Sequence, residues 1–236
     1  MRRIKLIYKK VAAIIALFSF EIIMVNIIFI SSLFIFLFAW NEVIYQQDFD
    51  FDEQVFIWIS GWADAGYDQF FIFITHLGNR EFVIAFNVLL ILYFLFVRRH
   101  PWYSLKIPVV AIGTISLNLI LKFIFDRPRP IAPMIEAFGL SFPSGHAMMS
   151  FSFYGLLIYL AWINISNVYL KYSVCILLFI LIHLIAFSRV YLRVHFATDV
   201  LAGLALGAAW LILSIFFLRK IEKYTRKEID PVIETQ

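Results

Sequence analysis

Long apolar runs broken by short polar stretches dominate the pattern along this chain. The apolar stretches fall at about 11–40, 82–97, 107–125, 147–163, 172–187 and 197–218. Each approaches or exceeds the roughly 20 residues that an α-helix needs to cross a bilayer. None shows the short alternating strands of an outer-membrane barrel. The pattern predicts six spanning helices, with the first long enough to tilt or protrude. That first run is also far longer than the apolar core of a signal peptide and lacks a clear small-residue cleavage site, so it reads as a retained helix. Glu21 and Asn26 within it are expected to be hydrogen-bonded and to face other helices. Between the first and second runs, 41–80 carries seven acidic residues interleaved with the apolar clusters 55–59 and 70–74. These clusters are too short to span and fit short helices lying in the interface, either as a cap over the bundle or as a gate for a lipid.

Composition agrees with this reading. Hydrophobic residues make up 63% of the 236 and charged residues 15%, against about 25% charged in a soluble domain. The fold class is therefore all-α, a polytopic membrane protein, read as one domain over 1–236. A net charge of +4 gives no reason to expect nucleic acid as a partner. Cys175, the single cysteine, lies in an apolar run and excludes an internal disulfide or a cysteine-based metal site.

The side on which the basic residues lie carries more than their sum. Arg2, Arg3, Lys5, Lys9, Lys10, Arg98, Arg99, Lys106, Lys171, Arg219, Lys220, Lys223, Arg226 and Lys227 fall on the side of the termini. Only Arg80, Lys122, Arg127, Arg129, Arg189 and Arg193 fall on the other. The excess of Lys and Arg marks the cytoplasmic side, so both termini are expected there. The basic residues on the outer side then need a reason to be where they are.

Three polar clusters at span ends supply one. Lys122 to Pro130 closes the third run, Pro143-Ser144-Gly145-His146 opens the fourth, and Ser188-Arg189 with His195 and Asp199 joins the last two. Lys122, Arg129 and Arg189 are cations at a membrane boundary, where unpaired charge is expensive. Guanidinium forks and an ammonium suit phosphate oxygens. Ser144 is a helix N-cap candidate, and Gly145 allows close backbone approach where helix-opening amides favour an anion. His195 and Asp199 are four residues apart and share a face if that segment is helical, so the carboxylate can orient the imidazole and leave its other nitrogen as a nucleophile. His146, from another helix, can act as a general acid. Together these residues suggest phosphoryl transfer to a histidine and then to water. The flanking Arg127 and Arg193 are expected to be interface anchors, and Asp126 to pair with a nearby arginine. His76 is read as a hydrogen-bonded structural residue, and Gly203 and Gly207 as a close-packing pair within the bundle.

These residues resemble the signature of the phosphatidic acid phosphatase type 2 superfamily of membrane lipid phosphatases: Lys, six residues, Arg-Pro; Pro-Ser-Gly-His; Ser-Arg, five residues, His, three residues, Asp. Lys122 to Pro130, Pro143 to His146 and Ser188 to Asp199 match it in order and without departure. The resemblance implies that His195 attacks phosphorus, Asp199 orients it and His146 protonates the leaving group. Lys122, Arg129, Ser144, Gly145 and Arg189 would hold the phosphoryl oxygens. It further implies a site with no metal and no cofactor, and a partner that is a membrane lipid phosphate in the bilayer. The substrate would be phosphatidylglycerol phosphate, undecaprenyl pyrophosphate or phosphatidic acid, in a bacterial cytoplasmic membrane with the site at its outer face. The rival is a protein that binds or transports such an anion without turnover. Vanadate haloperoxidases share the motifs but are soluble. The motifs describe the phosphate end and leave the lipid and the oligomeric state open.

Overall fold

The computed structural model describes residues 20–46 and 50–233. The basic cluster at 2–10, residues 11–19 of the first expected span and the Glu21 side chain lie outside the described residues. Eight α-helices and no strand appear among the described residues. They are α1 (Phe20–Trp40), α2 (Asp50–Ser60), α3 (Ala65–His76), α4 (Arg80–Leu92), α5 (Pro101–Phe125), α6 (Gly145–Asn164), α7 (Val168–Tyr191) and α8 (Ala197–Ile233). π-helical turns continue α1 over Asn41–Gln46 and α4 over Tyr93–Val97.

Six of these helices, α1 and α4 to α8, are long and apolar enough to cross a membrane. The protein is an all-helical, multi-pass membrane protein. The expected spans are found with longer ends. Helix α5 begins at Pro101 instead of 107, because Pro101 is tolerated in a first turn and the His100 ring nitrogen accepts from the Tyr103 amide. Helix α7 runs on to Tyr191, so Ser188 and Arg189 sit in its last turns and not in a loop. Helix α8 runs past 218 into charged residues, where Glu222 forms an ion pair at 2.7 Å with the buried Lys106 of α5.

Helix α6 is the hub, packed against α5, α7 and α8, while α1 lies along α8. Small residues set the α6–α8 distance. A Cβ on Gly203 would stand 2.5 Å from the Ser144 carbonyl oxygen, and one on Gly207 would stand 2.7 Å from that of Met148. Both obstacles are backbone, so Gly203-x-x-x-Gly207 serves close packing inside the bundle. That contact brings the start of α8, with Asp199, against the start of α6, with Ser144.

Asn26 departs from expectation. It is exposed, and its amide donates to the Ile22 carbonyl of its own helix at 2.8 Å, a bond that satisfies it without a partner helix. The interfacial segment folds as α2 and α3, with Ile57, Trp58 and Phe73 exposed and Ile59 and Phe71 in the core. Asp52 of α2 is almost fully buried. An acidic residue expected at a wet surface instead enters the bundle.

Candidate active site

The three clusters meet at one end of the bundle. Helix α5 carries Lys122 in its last turn and is closed by Asp126, whose left-handed conformation (φ 45°) turns the chain into Arg127-Pro128-Arg129-Pro130. The two prolines fix φ along this turn, so both arginines are presented from stiff backbone. The 131–141 loop then returns to the start of α6. Ser144 caps α6 by accepting from the Ala147 amide, and its own amide donates to the Asp199 carbonyl at 2.9 Å. Asn118, one turn before Lys122, donates to the Pro143 carbonyl at 3.2 Å. A Cβ on Gly145 would come 3.1 Å from the Asn118 side chain, which keeps this position small. After α7, the amides of Val194 and His195 both donate to the Arg189 carbonyl, which fixes the short connection into α8.

Asp199 is completely buried, and its two oxygens are divided between partners. Oδ2 faces His195 Nδ1 at 3.3 Å and accepts from the Phe196 amide at 2.9 Å and from the Ser141 hydroxyl. The Phe196 bond is one half of a capping box, in which the third residue of α8 reaches back to the amide before the helix. Oδ1 accepts from Arg127 at 2.6 Å. With Asp199 accepting at Nδ1, the imidazole carries its proton there and keeps a lone pair at Nε2. Burial pushes His195 down to a pKa of about 3; Asp199 opposes this, and Arg129 and Arg189 add to it. The ring is therefore neutral at physiological pH.

One guanidinium reaches the free nitrogen of this ring. Arg129 Nη1 lies 3.2 Å from His195 Nε2 and donates to the Val194 carbonyl at 2.7 Å. Its Nε and Nη2 donate to the carbonyls of Gly139 and Phe138, and Lys122 Nζ donates to that of Leu140. Lys122 and Arg129 thus also hold the 138–140 backbone at the site. Arg189 is buried and donates to Thr75 at 2.6 Å, while its Nε has no hydrogen-bond partner among the described residues. That buried N–H is suited to an anion's oxygen, since leaving it unmatched is costly. His146 donates from Nε2 to the Asn79 side-chain oxygen Oδ1 at 2.8 Å, and Asn79 Nδ2 in turn donates to His76 Nδ1 at 2.9 Å.

Two expectations are corrected. Arg127 is not an interface anchor: it is 6% exposed and bonded to Asp199, Thr198 and Asp52. Asp126 is exposed and forms no ion pair among the described residues. Exposed Arg193 stacks over the Phe56 ring at 5.3 Å, which fits a boundary position. Arg127, Ser141, Asn79, Thr75 and Asp52 were not found as site neighbours in the sequence. Arg127, inside the Lys122–Pro130 run, and Ser141, two residues before Pro143, were the two with a local signal.

The PAP2 superfamily model matches residues 103–223. The chain belongs to the PAP2 superfamily. It is 35% identical over 156 residues to phosphatidylglycerophosphatase B of Bacillus subtilis, covering 65% of this chain and 76% of that one. It is 28% identical to lipid phosphate phosphatase delta of Arabidopsis thaliana over 44% of this chain and 28% of that one. Among solved structures, it superposes on a transmembrane PAP2-type phosphatidylglycerolphosphate phosphatase from Bacillus subtilis with a TM-score of 0.74 and 29% identity, covering 82% of this chain and 96% of that one. Aquifex aeolicus LpxE gives a TM-score of 0.58 at 26% identity over 71% of this chain and 96% of that one.

Proposed function

We propose that this PAP2 protein hydrolyses a phosphate monoester or pyrophosphate of a membrane lipid, with phosphatidylglycerol phosphate, undecaprenyl pyrophosphate and phosphatidic acid as the substrates to test. The observation that carries the reading is the His195–Asp199 pair set among Lys122, Arg129 and Arg189. An anion-binding protein needs the cations but has no use for a buried, neutral, carboxylate-oriented imidazole.

His195 Nε2 attacks phosphorus while His146 gives a proton to the leaving oxygen. Water then attacks the phosphohistidine with His146 as base, which returns the enzyme to its starting state. Lys122, Arg129, Arg189 and the amides that open α6 at Gly145 neutralise the equatorial oxygens. Because protein cations supply this neutralisation, turnover is expected to survive EDTA. Arg129 has to leave His195 Nε2 for a phosphoryl oxygen when substrate enters, which frees the lone pair for attack. A cavity of about 240 Å³ lies between α4, α5 and α6, lined by Val83, Asn87, Ile91, Ile115, Met149 and Phe153 among others. Its mostly apolar lining suits a hydrocarbon chain.

The termini are assigned to the cytoplasmic side and the site to the outer face of a bacterial plasma membrane, from the distribution of Lys and Arg. One vesicle experiment tests chemistry and orientation together. Right-side-out vesicles, given membrane-impermeant short-chain versions of the three lipids in EDTA, are expected to release phosphate. Release from inside-out vesicles alone would reverse the orientation. No release from either would favour the binding reading.

A further inference from the structure

We propose that Arg127 is a positioning residue that holds the His195–Asp199 pair in its working geometry, and that Asp52 of the interfacial helix α2 holds Arg127. This rests on the catalytic reading above. The observations concern a part of the site that touches neither phosphate nor the attacking nitrogen.

Arg127 bridges two carboxylates, Asp52 and Asp199, that are far apart in the sequence. Its Nη1 donates to Asp199 Oδ1 at 2.6 Å and to Thr198 Oγ1 at 2.8 Å, and its Nη2 donates to Asp52 Oδ2 at 2.9 Å. The guanidinium lies 4.1 Å over the Phe196 ring. Asp52 is 1% exposed and accepts from the Thr198 amide at 2.8 Å and the Thr198 hydroxyl at 2.7 Å. Asp52 thus satisfies a free amide in the first turn of α8, one residue before Asp199, and orients the arginine that holds Asp199.

The division of labour on Asp199 makes this specific. Oδ2 serves His195 and accepts from Phe196 and Ser141, and Arg127 at Oδ1 is the contact that completes the fixing of the carboxylate plane. A rigid fork in contact with two carboxylates can do this, and a lysine ammonium, a point charge on a flexible stem, cannot. Interfacial helix α2 is therefore a wall of the catalytic site, tied to the chemistry through one buried carboxylate.

The test uses full-length protein in detergent with Arg127→Lys, Arg127→Gln and Asp52→Asn. Each is expected to lower kcat by about 10²-fold with KM and inorganic phosphate affinity unchanged, the size of effect that a small misplacement of a catalytic group produces. Asp52→Asn added to Arg127→Gln is expected to cost little more, because both act through one contact. The groups facing His195 are Asp199, Ser141, Arg129, Arg189, Lys122 and His146, with Arg127 and Asp52 behind Asp199. Loss of the Arg127 cation behind Asp199 favours the imidazolium, so Arg127→Gln is expected to raise the proton affinity of His195. Arg127→Lys keeps the charge and should leave that affinity in place. An imidazole NMR titration reads this whether or not the protein turns over, so it separates this inference from the catalytic one. A residue of merely structural use would lower stability without moving the titration. An unmoved His195 midpoint in Arg127→Gln, or unchanged kcat in a folded Asp52→Asn protein of active wild type, would overturn the proposal.

Discussion

His195→Ala is expected to lower kcat by about 10⁶-fold, the scale seen when a covalent catalyst loses its nucleophile. The fold should survive. The backbone of Val194 and His195 is anchored by the Arg189 carbonyl, and Asp199 keeps its bonds to Ser141, Phe196 and Arg127 when the ring is removed. Helical content by circular dichroism and elution on gel filtration should match wild type. Phosphate affinity should fall far less than turnover, because Lys122, Arg129 and Arg189 are untouched. Folded His195→Ala protein that keeps near-normal turnover would remove this residue from the chemistry.

Asp199→Asn comes next in size, at about 10⁴-fold in kcat, the loss expected when a buried aspartate no longer holds a histidine in its working tautomer. Asparagine fills the same space, but if its amide nitrogen faces His195 Nδ1 it donates where a carboxylate accepts. The proton then moves to Nε2, and the attacking lone pair is lost. The substitution also strips one carboxylate from buried Arg127, which keeps the other, Asp52. Breaking a buried ion pair costs about 3 kcal/mol or more, and Asp52 places this case at the low end. The melting temperature in detergent should fall together with activity, whereas His195→Ala should leave it almost unchanged. Wild-type kcat in a folded Asp199→Asn protein would contradict the orienting role.

How much of this was legible in the sequence follows from distance along the chain. The spans were legible because apolar runs of helix length have few other uses. The residues brought together at the site were legible as types: cations, histidines and a carboxylate at span ends. Their supports were not. Asp52 stands among seven acidic residues in an interfacial segment, and nothing local sets it apart from a solvated carboxylate. Its partners Arg127 and Thr198 are 75 and 146 residues away. Arg127 sits beside the motif arginine in the same Arg-Pro-Arg-Pro run, but its burial comes from the start of α8 and from α2, which only the tertiary fold brings near. The Asn79–His146 bond spans 67 residues, and Thr75–Arg189 spans 114. The Lys122 and Arg129 bonds to the 138–140 carbonyls were likewise invisible, because they depend on how that loop folds back.

The central claim is that a phosphoryl group passes through His195 before reaching water. The most direct measurement is the stereochemistry at phosphorus, using an isotopically chiral thiophosphate analogue of whichever lipid the vesicle assay identifies. Two in-line displacements, to His195 and then to water, predict net retention of configuration. Net inversion would mean a single displacement by water and would contradict the account.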